Sequence, residues 1–391
     1  MTNSVPVQLV LPEAERYNAF NGGAIATVTK ELAASWLRRG VSPVVLTPRD
    51  RHEPYPVGKS VVLAKTGYLS TPERYWWALA RRISGRYSSR ARYVRAVLAG
   101  VAALDGSRIV VANDPELALK LARAVPRAAI LLWIHNFPSP AEAELLAVMP
   151  NSVRVVTVSN AVRDKIVEDP RVPAPSVQVI HNGVNRELFH PRAGHPPADR
   201  IRVVCHGRID PNKGQLLAAR AVHALHERGY PQVDFSIIGS PTTFGFDDEV
   251  VAGYVRDLGG AMREAHGEFV GRVPPAEVAE ILRASDIACI LPTVPDPFPL
   301  TGLEALASGC AVVAVPLGGV KEMMGDAAFL AEPTVPSVTD ALEALVSSSS
   351  LRAEYQARAI VRASEFTWDD AADKALALFE EIEGDHGRAS S

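Results

Sequence analysis

Cysteine is scarce in this sequence. The 391-residue chain has three, Cys205, Cys289 and Cys310. None forms a C-x-x-C pair, which argues against a zinc site, and three spaced thiols make no disulfide framework, so a reducing compartment is expected. Long apolar runs are also absent. No window approaches ~20 uninterrupted apolar residues, the length a membrane helix needs. The N-terminus lacks a basic segment followed by an apolar one, so no secretory signal is expected. Excess charge is missing too. With 41 Lys and Arg against 44 Asp and Glu the formal net charge is -3, which implies no nucleic-acid partner. One absence is local: residues 74–95 hold no acidic residue but seven arginines, interleaved with Tyr75, Trp76, Trp77, Tyr87 and Tyr93. Two readings stand. Either this is a basic, aromatic surface for an acceptor or an anionic membrane face, or it is one or two helices with a solvated arginine face and core aromatics.

What is present is an alternation of short apolar runs and amphipathic stretches, in a chain long enough for two or three domains. Strands are predicted at 7–11, 44–46, 108–112, 129–134, 154–158 and 177–180, with helices at about 24–39, 115–124 and from 160 to 168. Residues 51–73 read as loop-rich. A Pro-rich stretch at 190–200 reads as a linker between domains. A second series follows, with strands at 201–205, 235–238, 269–270, 286–291 and 311–315. Its helices fall at about 215–228, 275–284, 300–308 and after Gly319. A last helix runs from 369 to about 383. The Ser347–Ser350 run and the tail after Gly384 read as unstructured.

In open parallel sheets ligands sit beyond the carboxyl ends of the strands. Several polar groups fall there. Gly22-Gly23 opens the first helix, where either a phosphate approaches the backbone or the glycines only relieve a tight turn. His135 ends one strand, as a hydrogen-bond donor in a cleft or as a satisfied strand-end histidine. His181 supports a turn. Arg208 and Lys213 flank the loop after the strand at 201–205; arginine can fork onto phosphate oxygens and lysine adds a point charge. In the stretch from Cys289 to Glu322, the carboxylates of Asp296 and Glu304 bracket a helix start. The first-turn N–H groups there, at Leu300, Thr301 and Gly302, attract anions. An anion cradle beside carboxylates suits a sugar nucleotide, with phosphates on amides and hydroxyls on carboxylate.

Taken together, Gly22-Gly23-Ala24, I-H-N-G-V-N-R-E-L-F-H-P at 180–191, G-R-I-D-P-N-K-G at 207–214, D-P-F-P-L-T-G-L-E at 296–304, L-G-G-V-K-E at 317–322 and F-T-W-D at 366–369 resemble the GT-B glycosyltransferases of family 4. The resemblance covers nearly the whole chain. It implies an α/β architecture of two Rossmann-like domains facing across a cleft. An N-terminal acceptor domain would take residues 1–192 and a nucleotide-sugar domain 200–368, with a helix at 369–385 crossing back to the first. It implies a retaining transferase that moves a sugar from a nucleotide diphosphate, UDP or GDP, to a hydroxyl acceptor, without cofactor or metal, in the cytoplasm. Residues 74–95 are the candidate for a peripheral contact with the inner membrane face. On that resemblance Arg208 and Lys213 bind the pyrophosphate and stabilise it as it leaves, and Glu304 binds the ribose. Asp296 and His135 contact the donor sugar. The amides of Leu300 and Thr301 take the distal phosphate, approached by the Gly22-Gly23 loop, and the base lies near Gly239 and Val273. Two positions depart from the family pattern: Asp296 stands where glutamate is usual, and Pro299 where glycine is usual. Two rival enzymes share the architecture, a nucleotide-sugar epimerase and a sugar phosphorylase; the former would need acid–base carboxylates and no acceptor, the latter a lysine for pyridoxal phosphate. A non-catalytic sugar-nucleotide-binding subunit is the third alternative.

Overall fold

The structure is a computed structural model that describes residues 6–20, 23–67, 88–104, 107–192, 200–243 and 245–389. The chain forms two compact units, Met1–Asn182 with Trp368–Ser391, and Gly183–Thr367.

In the first unit seven parallel strands pair into one sheet: β1 (Val7–Val10), β2 (Pro43–Arg49), β3 (Lys59–Gly67), β4 (Arg108–Ala112), β5 (Ala129–Ile134), β6 (Val153–Thr157) and β7 (Val177–Val179). Their order is β3-β2-β1-β4-β5-β6-β7. The central strands are buried on both faces, which is why they read as unbroken apolar runs. Around them lie α1 (Ala24–Arg38), α2 (Ser89–Ala103), α3 (Pro115–Ala124), α4 (Pro140–Leu146) and α5 (Asn160–Val167). In α1, Val28, Leu32 and Trp36 keep helical spacing and are buried. Ser88, Asp114, Ser139 and Ser159 cap the next four helices through side-chain oxygens, each cap worth about 1 kcal/mol.

The second unit repeats the plan with β8 (Ile201–His206), β9 (Val233–Ile238), β10 (Glu268–Gly271), β11 (Ile287–Ile290), β12 (Ala311–Ala314) and β13 (Ala328–Leu330), in the order β10-β9-β8-β11-β12-β13. Its helices are α6 (Gln215–Glu227), α7 (Asp248–Glu264), α8 (Pro275–Ala284), α9 (Leu300–Ala307), α10 (Gly319–Met324), α11 (Val335–Ser347) and α12 (Ser349–Ala363). Val203, Val222, Leu225, Ile237, Val313 and Leu342 lie in its apolar core. Residues 183–192 belong to this unit: Phe189 is buried, and Arg283 Nη1 donates to Leu188 O at 3.3 Å. The last helix, α13 (Trp368–Ala389), returns to the first unit, where Trp36 Nε1 donates to Ala372 O at 3.1 Å.

Three local expectations need correcting. The loop-rich reading of 51–73 missed β3, an edge strand along β2 that keeps Val62 partly exposed, so its apolar signal is weak. The Ser347–Ser350 run is a tight junction of two helices. Ser348 ends α11, and its Oγ accepts from Leu351 N–H to start α12. The tail after Gly384 is helical to Ala389, because α13 carries on past the glycine. For 74–95, residues 74–87 lie outside the described residues. The remainder opens α2, where Tyr93 is fully buried and donates its hydroxyl to Leu11 O. Arg90 there forks onto Asp114, with both contacts at 2.6 Å, and reaches Glu116. Acids from α3 thus answer part of the local arginine excess. Of the linker, residues 193–199 also lie outside the described residues.

Candidate functional site

A parallel sheet whose strand order reverses leaves a crevice between the loops after the two strands at the reversal. In the second unit that point lies between β8 and β11. Arg208 and Lys213 follow β8; Asp296 follows β11, and Glu304 is carried by α9.

The floor is backbone. Gly207 N–H donates to Ile238 O at 3.0 Å and Gly239 N–H to Gly271 O at 2.8 Å, joining the ends of β8, β9 and β10. Gly239 has φ 147°, and a Cβ there would overlap the Gly207 carbonyl oxygen. Gly214, at φ 73°, starts α6, and a Cβ on it would overlap the Leu291 carbonyl oxygen. That close approach brings the β8 loop against the end of β11. Thr293 fastens the two, donating from its N–H to Asn212 O at 3.0 Å and from its hydroxyl to Pro211 O at 2.9 Å. Buried Gln215 holds the Arg208 carbonyl through Nε2 at 2.6 Å and accepts from the Tyr254 hydroxyl at 3.1 Å.

On this frame the charged groups pair. Lys213 Nζ lies 2.6 Å from Asp296 Oδ2. Asp296 is itself fixed through its backbone, since its carbonyl accepts from Gly319 N–H at 2.8 Å beside Gly318, at φ 66°. Glu304 Oε2 meets His206 Nε2 at 2.7 Å. The Arg208 side chain is half-exposed, and its Nη2 is 3.6 Å from Oδ2 of the fully buried Asp210. Pro299 occupies the N-cap of α9 and Leu300 the first helical position. No side chain caps this helix, so the first-turn amides at Leu300 and Thr301 are left for a ligand. A Cβ placed on Gly207 would lie 3.5 Å from Thr301 Cγ2, which sets α9 beside the end of β8. Two cations, two carboxylates and the first-turn amides of α9 are thus brought to the loops at the β8/β11 reversal. Val273 is partly buried just after β10.

His206, Asp210, Gln215 and Thr293 were not singled out from the sequence. The first three stand in or beside the G-R-I-D-P-N-K-G element; the partners of His206 and Gln215 lie far along the chain or in the backbone, while Asp210 faces Arg208 two residues away. The three cysteines are buried, and burial pushes the Cys205 and Cys310 thiols up to about 12, so they are inert packing groups.

The other expected residues stand in the first unit. Gly22 lies outside the described residues. Gly23 is extended, at φ -96°, and its N–H is taken by the Glu15 carboxylate, which also accepts from Ala26 N–H at 3.3 Å. The anion at the start of α1 is thus the chain's own. Burial raises the Glu15 pKa against those hydrogen bonds. His135 follows β5; its N–H donates to Asn113 Oδ1 at 2.6 Å, and its ring stacks on Trp133. Asn113, at φ 50°, is the positioning group the sequence did not reveal. Burial lowers the His135 pKa to about 3, leaving a neutral imidazole.

Two parallel sheets of this order, one with a charged crevice at its reversal point, define a two-unit α/β protein of the GT-B class. Family models for Glycosyl transferases group 1 and Glycosyltransferase Family 4 match residues 200–348 and 22–188, and the chain belongs to that family. Among curated relatives, D-inositol 3-phosphate glycosyltransferase from Corynebacterium diphtheriae is 31% identical over 220 residues, 52% of this chain and 50% of that protein. Spore coat protein SA from Bacillus subtilis is 24% identical over 315 residues, 74% of this chain and 82% of that one. The chain spans about half the length of the inositol-phosphate relatives it matches. Sucrose-phosphate synthase from Thermosynechococcus elongatus shares the fold, with TM-score 0.77 and 18% identity over 99% of this chain and all of that one. So does Anabaena HepE, solved in complex with UDP and glucose, with TM-score 0.70 and 18% identity over 98% of this chain and 99% of that one.

Proposed function

We propose that this protein moves a sugar from a nucleotide-diphosphate donor to a hydroxyl acceptor, with retention of configuration and without a metal. One observation carries the reading: Arg208, Lys213, Glu304 and the open amides of α9 meet at the β8/β11 reversal. The bond between the anomeric carbon and the diphosphate oxygen breaks, and the leaving diphosphate gains charge. Arg208, Lys213 and the Leu300 and Thr301 amides stand ready to stabilise it before reaction, which is where such groups lower a barrier. Glu304 holds the ribose hydroxyls, its carboxylate oriented by His206. Asp296 reaches the donor sugar, and Lys213 exchanges its bond to Asp296 for the phosphate. The acceptor oxygen bonds to the anomeric carbon on the face the diphosphate leaves, and its proton passes to a phosphate oxygen. His135, neutral, serves as a hydrogen-bonding group for the sugar. The UDP in the HepE structure and the glycosyltransferase names of the relatives support a sugar nucleotide. A cytoplasmic place of action accords with three buried, unpaired cysteines. No helix among the described residues is long and apolar enough to cross a membrane, and membrane contact through 74–95 stays part of the proposal.

The test is a thermal-shift screen with UDP, GDP and ADP, followed by transfer assays with UDP- and GDP-hexoses. A bound nucleotide raises stability by RT ln(1 + [L]/Kd), so the right base stands out. Arg208→Ala strips the countercharge from buried Asp210, so Arg208→Lys is run beside it to keep that charge. Both arginine variants and Glu304→Gln are expected to lose about 100-fold or more in transfer, with Arg208→Lys and Glu304→Gln melting within a few degrees of wild type. Near-normal transfer by all three would sink the assignment. Release of an epimerised donor without acceptor would point to the rival epimerase.

A further inference from the structure

The Arg208 side chain is half-exposed, but the backbone that carries it is clamped. Its carbonyl and the Ile209 N–H belong to one peptide plane, and both ends of that plane are bonded. The oxygen accepts from Gln215 Nε2 at 2.6 Å, and the N–H donates to Ser240 O at 3.0 Å. Ile209 is held a second time, its carbonyl accepting from Thr242 N–H at 3.3 Å. The Ser240 and Thr242 bonds prolong the pairing of β8 with β9. The Gln215 bond does not: it is a side chain reaching back from the first residue of α6.

Gln215 is fully buried, so it has no surface with which to touch a substrate, and its amide is aimed from behind. Tyr254 on α7 does the aiming. Its hydroxyl donates to Gln215 Oε1 at 3.1 Å and accepts from Leu216 N–H at 3.1 Å. With the amide oxygen taken by Tyr254, the amide nitrogen is turned to Arg208, and a nitrogen donor is what a carbonyl needs. Burial raises the Tyr254 pKa, which keeps the phenol protonated and able to donate. The ring itself packs against the apolar core of the second unit. The Leu216 bond fills one of the open amides of α6, whose N-cap, Gly214, has no side chain to do so. Capping alone needs only that bond. The Gln215 bridge goes further and ends on the peptide from which the Arg208 side chain departs.

We infer that Tyr254 and Gln215 are positioning residues for the proposed transfer: through the Arg208 carbonyl they fix where its guanidinium stands as the diphosphate leaves. The inference rests on the transferase reading and adds two residues to its machinery. Groups that stabilise developing charge act by being in place beforehand, and a misplacement of about 1 Å costs up to about 100-fold. Arginine is long and rich in rotamers, so ordering it is costly. Holding the peptide at its root leaves only the side chain's own torsions to be ordered by the ligand.

Steady-state transfer from the UDP- or GDP-hexose that the wild-type chain uses tests this, with Tyr254→Phe, which removes one hydroxyl, and Gln215→Met, which keeps the shape and removes the amide. Tyr254→Phe is expected to lower kcat about tenfold and Gln215→Met up to about 100-fold, with the donor KM within about threefold of wild type. Tyr230→Phe serves as the control. It deletes a hydroxyl of the same unit that donates to Glu343 Oε1 at 3.2 Å, and it should leave kcat unchanged. A double-mutant cycle separates positioning from stability. In an Arg208→Ala background Tyr254→Phe should cost less than about twofold more, because the group it positions is gone. Wild-type kcat in both variants, the same loss in Tyr230→Phe, or an equal loss with and without Arg208 overturns the inference while the transferase reading stands. A wild-type chain that neither binds a nucleoside diphosphate nor transfers a sugar overturns both.

Discussion

The two units share one strand order and differ at the carboxyl ends of their strands. In the second unit the ends of β8, β9 and β10 run into glycine: Gly207, Gly239 and Gly271 all have positive φ, and the floor there is backbone topped by paired charges. In the first unit they are side chains. Glu15 fills the amides of α1, Asn113 holds His135, and Tyr17 ties the loop after β1 to Thr47 of β2. The same sheet thus offers two chemistries. A bare backbone leaves space at close range for any group that fits it, whereas a wall of side chains fills its own hydrogen-bonding groups.

Alanine in place of glycine in each unit gives the largest contrast. Gly239→Ala would drive a Cβ into the Gly207 carbonyl at a φ alanine rarely adopts. It is expected to cost about 4 kcal/mol, at the large end for a point change, read by urea unfolding. Gly23→Ala meets only the movable Glu15 side chain at an extended φ, and should cost under about 1 kcal/mol. Equal losses would erase the distinction between the two ends.

A middle-sized effect is expected from His135. Its folded pKa, about 3, lies below the ordinary 6.5 because of burial. Below pH 6.5 the unfolded chain takes up a proton that the folded chain refuses. The stability from this group is therefore full above 6.5 and lost as pH falls towards 3, by up to about 1.4 kcal/mol per pH unit. His135→Asn should flatten that slope between pH 6.5 and 5 in equilibrium unfolding. An unchanged slope would show the imidazole to be freely titrating. A smaller effect than His135 gives is expected from Glu15→Ala, which uncaps α1 and should cost about 1 kcal/mol, seen as a melting point a few degrees lower. No change would mean that water replaces the carboxylate at no cost.

Much of this was legible in the sequence because parallel strands buried on both faces leave apolar runs that need no partner to be noticed. The loops after β8 and β11 could be picked out for the same reason: polar residues at strand ends stand out against such runs. What stayed hidden was pairing. His206 and Glu304 are 98 residues apart, and nothing local in either says that they meet. The Lys213 bond to Asp296 was hidden likewise, although both residues were singled out. Local misreadings have local causes. Four serines in a row look like a tip until one of them caps a helix. Gly384 looks like an end, although a glycine inside a helix costs only about 1 kcal/mol, which a long helix can bear.

The return of α13 to the first unit has a consequence for how the chain is made. The second unit is inserted between Asn182 and Trp368, and Val184 N–H donates to Phe366 O at 3.1 Å where the two crossings lie together. A ribosome therefore delivers every residue of the inserted unit before it delivers the helix that covers Trp36 and pairs with Arg39. The part that emerges first is the last to be completed, and until then it carries an uncovered tryptophan on α1. A nascent chain stalled before Trp368 is where a chaperone would be expected to hold it.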